Sequence, residues 1–129
     1  MKYLIFIILL SVTSFASGQK KLDNTIVIRD VSFDSAIAKL IESGFTVRFI
    51  DKANKICYSN TAPLGTAIII KTKTDGLYIT ANIGITYFNS DVTSNPAILS
   101  YYKSGYYSDR WQELMIFAGQ FHNLEYLRQ

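Results

Sequence analysis

A hydrolase or transferase needs a nucleophile within reach of an oriented base, and His122 is the single histidine of the chain. It falls at the end of a stretch with helical periodicity, where an imidazolium is favourable beside exposed carbonyls. That placement accounts for it without a catalytic role. Cys57 is the single cysteine, so a zinc site would draw most of its ligands from carboxylates, and no His/Cys pair has local ligand spacing. Glycoside cleavage needs two acids about 5 to 10 Å apart. The pairs available, Asp30/Asp34 and Asp109/Glu113, both stand where carboxylates complement helix N-termini. No glycine-rich loop precedes a helix in a phosphate-binding pattern. Residues 90–95 are oxygen-rich but carry one carboxylate, Asp91, short of a calcium loop. The sequence predicts no catalytic residue, no cofactor and no metal.

One cluster rises above this background: Tyr101-Tyr102-Lys103-Ser104-Gly105-Tyr106-Tyr107. Tyrosine rings are large and amphipathic, enriched in protein interfaces and suited to stacking on sugars. Tyr101, Tyr102, Lys103, Tyr106 and Tyr107 are therefore the candidate partner-binding residues. The competing expectation is that one tyrosine of each pair packs between sheet and helix while the other covers the surface.

The elements that must position this cluster begin after a leader. The chain has 129 residues, 49% hydrophobic and 18% charged. Its mean hydropathy is +0.15, and without residues 1–18 the average drops to about −0.1, ordinary for a soluble domain. Met1-Lys2, the apolar run Leu4 to Leu10 and the small polar residues Ser11, Thr13, Ser14 and Ser17 have the layout of a secretory signal peptide. Cleavage is expected before Gln19, with a cut after Ala16 as the alternative. The run is less than half of the about 20 apolar residues a membrane-spanning helix requires. No cysteine lies near the cut, so no lipoprotein is expected, and the protein is expected in the periplasm or outside the cell. Residues 19–129 then form one domain.

Removal of Lys2 lowers the formal charge from +3 to +2, and the lysines are dispersed along the chain, without the basic cluster that nucleic acid demands. A lone cysteine forms no intrachain disulfide; within Lys55 to Ser59 it reads as a small buried or half-buried strand residue.

Thr25 to Asp30 is short and β-branched, hence a strand. Ser32 can cap a helix whose apolar positions Phe33, Ile37, Leu40 and Ile41 share one face, and Gly44 ends it. Strict alternation through Phe45 to Phe49 points Phe45, Val47 and Phe49 to the core, and Lys55 to Asn60 completes a hairpin. Thr61 to Gly65 interrupts the sheet, because Pro63 cannot donate to a ladder. Thr66 to Thr74 and Leu77 to Phe88 flank Asp75-Gly76, suited to a type I′ turn, with a bulge or bend at Gly84. Asn89 to Asn95 reads as a loop, and 96–104 fits either a short helix or an extended segment. A last helix starts at Ser108-Asp109 with Trp111, Leu114, Met115, Ala118 and Phe121 on one face, is terminated by Asn123, and precedes a short strand or tail at Leu124 to Leu127. These elements predict an α+β two-layer sandwich: an antiparallel sheet of four to five strands, two amphipathic helices on one face, order β-α-β-β-β-β-α-(β).

Asp30-Val31-Ser32-Phe33-Asp34-Ser35-Ala36-Ile37, running to Ile41-Glu42-Ser43-Gly44-Phe45, resembles small uncharacterised secreted proteins of Bacteroidota. The resemblance implies a compact sandwich of helices on one sheet, like TATA-binding-protein-type or BON-type domains, and an envelope location. It implies no activity and no site residues. The expected role is a non-catalytic envelope domain that binds a protein or glycan partner. The alternatives are a secreted inhibitor of a hydrolase and a carboxylate-dependent envelope hydrolase.

Overall fold

The computed structural model describes residues 19–83, 87–88, 91–92, 97–103 and 105–129; the leader, Gly84 and Pro96 lie outside the described residues. The β-branched run forms strand β1 (Thr25–Ile28). Ser32 caps helix α1 (Phe33–Glu42): its hydroxyl accepts from the Ser35 backbone N–H at 3.1 Å, and Asp34 occupies the first turn. Gly44 ends the helix at φ 96°, with the Phe45 N–H donating back to the Leu40 carbonyl at 3.2 Å. The buried stripe differs from the expected one. Phe33, Ala36 and Leu40 are buried and Ile37 packs beside them, whereas Ile41 is 56% exposed. Ala36, a small residue, completes the stripe on the flank opposite Ile41.

Strands β2 (Val47–Asp51) and β3 (Ile56–Ser59) form the expected hairpin, but its register shifts between Val47 and Phe49. Such a bulge turns the following side chain over. Phe45 is buried and Val47 packs against the core, while Phe49 is 52% exposed, contrary to the alternation.

Strands β4 (Ala67–Lys73) and β5 (Gly76–Ile83) make the long hairpin. Lys73 pairs with Gly76, so the turn residues are Thr74 and Asp75, one position earlier than expected. Neither has positive φ, and the turn is not type I′. Gly76 serves a close approach instead: a Cβ there would lie 2.7 Å from the Ile28 carbonyl oxygen.

Strands β6 (Tyr87–Phe88) and β7 (Asp91–Val92) pair with each other, so the expected loop contains a strand. Strand β8 (Ala97–Ile98) gives the ambiguous segment its extended form. Helix α2 (Tyr106–Ala118) starts two residues before Ser108, with Gly105 at its N-cap and Gly119, not Asn123, at its C-cap. Trp111, Leu114, Phe117 and Ala118 are buried and Met115 is partly so, while Phe121 packs on the core from beyond the helix. Strand β9 (Glu125–Leu127) realises the final short strand.

Among the described residues all strand pairings are antiparallel. Six strands run in the order β2-β3-β4-β5-β1-β9, and β8 bonds to β5 at Asn82 and Ile83, past the Leu77 to Ile79 stretch that pairs with β1. The sheet exceeds the four to five strands expected, because both chain segments left open, 97–98 and 125–127, join it. It remains an open sheet, not a barrel.

Register places Cys57, Ile70, Ile79 and Ile26 in one row across four strands. These residues, with Ile28, Ile68, Leu77, Ala81 and Ile83, form a single core cluster that includes Phe33 and Leu40 of α1 and Trp111, Leu114 and Phe117 of α2. Each large side chain buried there contributes about 1.5–3 kcal/mol. Cys57 is buried in β3, as its sequence context predicts, and burial pushes its thiol pKa up. Among the described residues, no helix is long and apolar enough to cross a membrane.

Candidate functional site

The tyrosine segment divides between two jobs. Tyr101 packs edge-on against Trp111, ring centroids 5.6 Å apart. Its backbone N–H donates to the Asp23 carbonyl at 2.7 Å and its carbonyl accepts from Leu22 at 2.9 Å, tying the N-terminal lead-in to the core. Tyr102 and Tyr107 lie side by side nearer the surface, centroids 5.2 Å apart and planes inclined by 31°. Lys103 is exposed beside them, and Tyr106 opens α2 with a side chain outside the described set. Gln19, Lys21, Tyr101, Tyr102 and Lys103 enclose a hollow of ≈ 460 Å³. The structure thus brings Tyr102, Lys103 and Tyr107 together, and turns Tyr101 partly inward.

Of the two acid pairs, Asp109 and Glu113 both line a hollow of ≈ 330 Å³ with Leu64, Gln112 and Ile116. Asp34 and Asp109 sit exposed in the first turns of their helices. Glu113 is buried at 6% exposure and faces the loop between β3 and β4. Its Oε2 accepts from the Leu64 N–H at 2.9 Å and its Oε1 from the Thr66 N–H at 3.1 Å. The carboxylate supplies acceptors for two N–H groups of a loop that interrupts the sheet ladder. Sequence spacing alone assigned Glu113 to the helix dipole; its role depends on a residue 47 positions away. His122 is exposed beyond α2. Among the described residues no three His, Cys, Asp or Glu side chains form a group that could hold a metal ion.

The second concentration of polar and aromatic groups lies on the sheet face opposite the core cluster, and sequence reasoning missed it. Cross-strand register aligns Phe49, Tyr58, Ile69 and Thr80 in one row. Lys71 and Tyr78 pair in the next row, and Asn82 pairs with Ala67 and Ile98 on the other side. Two adjoining hollows of ≈ 420 and ≈ 490 Å³ share Tyr58, Ile69 and Asn82 in their walls. No helix residue lines either hollow. Phe49 and Tyr58 rings meet at 5.8 Å, and the Lys73 ammonium stands 4.2 Å from the Tyr78 ring centroid. The Tyr78 hydroxyl donates to Asp75 at 2.8 Å, which raises its pKa, and Arg29 pairs with Glu125, which raises that of the guanidinium. The signal was present as the period-two placement of Ile69, Lys71 and Lys73 against Tyr78, Thr80 and Asn82.

Comparison with protein families, curated proteins and solved structures finds no match to this chain.

Proposed function

We propose that the protein is a non-catalytic binding domain of the cell envelope, exported by residues 1–18, which contacts a protein or glycan partner through Tyr102, Lys103 and Tyr107, with Tyr101 as their support from the core and Tyr106 at their edge. The same reading treats the domain as a two-layer sandwich with both helices on one face, as in the small secreted Bacteroidota proteins it resembles. One observation carries the functional reading: Tyr102 and Tyr107 form a ring pair beside Lys103, at a hollow also walled by Lys21. Paired rings with flanking cations give a partner large contact area at low conformational cost.

The test is in-cell crosslinking of tagged protein, wild type against Tyr102→Ser/Tyr107→Ser, with urea unfolding as the control. Loss of the captured partner with an unchanged unfolding midpoint is expected. Equal capture by the variant would overturn the assignment. Export is tested separately: deletion of residues 1–18 should hold the protein in the cytoplasmic fraction, and unchanged export would refute the leader.

A further inference from the structure

The sheet face away from the helices carries a second, independent site, and we propose that it binds a carboxylated polysaccharide strand. Charge complementarity points to the ligand. The walls of the two joined hollows include the cations Arg48, Lys71 and Lys73 and, among the described residues, no aspartate or glutamate side chain. Among the described residues, Lys71 and Lys73 form no ion pair. Asp75 accepts from the Tyr78 hydroxyl of the wall, and Glu125 pairs with Arg29. An anionic ligand therefore meets three cations on these walls.

The remaining groups select a sugar over other polyanions. The row from Phe49 to Thr80 crosses three strand spacings, about 14 Å, long enough for an extended oligomer. Phe49 and Tyr58 offer rings for the apolar faces of sugar rings, and Thr80 and Asn82 offer hydroxyl and amide groups for sugar hydroxyls. The backbone of β3, β4 and β5 is consumed in ladders on both sides, so a ligand here meets side chains only. A peptide strand would instead seek an edge with unpaired backbone groups, which β2 and β9 provide. Nucleic acid requires a longer track of cations than three. A strand face also takes part in oligosaccharide binding in the OB-fold, a different architecture.

Isothermal titration calorimetry of residues 19–129 with oligogalacturonate, at low ionic strength, tests the site. Binding is expected, weakened roughly tenfold or more in Lys71→Gln/Lys73→Gln and again in Phe49→Ser. All three positions are exposed, so the variants should keep the wild-type urea midpoint. Tyr102→Ser/Tyr107→Ser should bind as wild type does, which separates this site from the tyrosine surface. Four results would overturn the proposal: no heat of binding, equal binding of a neutral galactan oligomer, equal binding of polyglutamate, or full binding by the lysine variant.

Discussion

Replacing Glu113 exposes how the loop 61–66 is held. Its two carboxylate oxygens accept one N–H each, from Leu64 at 2.9 Å and Thr66 at 3.1 Å, and the residue is only 6% exposed. Glu113→Gln keeps the shape but converts one oxygen into a donor that faces another donor. A charge-assisted bond contributes about 1.5–3 kcal/mol, so this change should cost about 2 kcal/mol. Glu113→Ala removes both acceptors. The Thr66 amide is buried and cannot turn to water, whereas Leu64 is exposed and can be partly rehydrated. The loss should therefore be about 3–4 kcal/mol, less than twice the larger single-bond value. For a domain of this size each kcal/mol lowers the Tm by about 4 °C. Urea unfolding read by the fluorescence of Trp111, the sole tryptophan and 2% exposed, measures both variants on one signal. The expected order is wild type, then Gln, then Ala. Midpoints equivalent to less than about 0.5 kcal/mol for both variants would show that water or a neighbouring group replaces the carboxylate, and the anchoring role would be wrong.

Three further outcomes follow from the same structure. Phe45→Ala should cost about 3–4 kcal/mol and Phe49→Ala less than about 1, measured by urea unfolding; equal losses would refute the bulge that separates these two rings. Gly76→Ala should destabilise by about 2 kcal/mol or more in thermal denaturation, because its Cβ would sit 2.7 Å from the Ile28 carbonyl oxygen, and a neutral result would mean β1 yields easily there. Burial raises the Cys57 pKa, so its contribution to stability is complete below the ordinary thiol range and is lost as pH rises through the raised folded value. The urea midpoint should fall more steeply above pH 9 or so in wild type than in Cys57→Ala, and parallel slopes would contradict the buried thiol.

Local chemistry in the chain was enough to specify several elements. Ser32 and Gly44 bound α1 because a hydroxyl satisfies an orphan N–H and glycine accepts positive φ, and neither effect depends on distant residues. The β-branched run of β1 and the apolar periods of β4 and β5 likewise set strand identity. The exact hairpin turn was less legible. Asp75-Gly76 has turn chemistry, yet Gly76 is occupied by the approach of Ile28 from another strand, and the turn falls on Thr74-Asp75.

What the tertiary structure decided is which residues meet. Dispersed lysines in sequence become neighbours on one sheet face because β4 alternates, with Ile68 and Ile70 inward and Ile69, Lys71 and Lys73 outward. A bulge turns Phe49 out to join Tyr58. Tyr101 turns toward Trp111 while Tyr102 meets Tyr107 across the helix start. Glu113 leaves the role its helix position suggests and holds a loop 47 residues away. Composition and periodicity carry the propensity of each segment, because those forces act within a few residues. Surfaces for recognition arise from cross-strand register and packing, and these exist only once distant segments have come together.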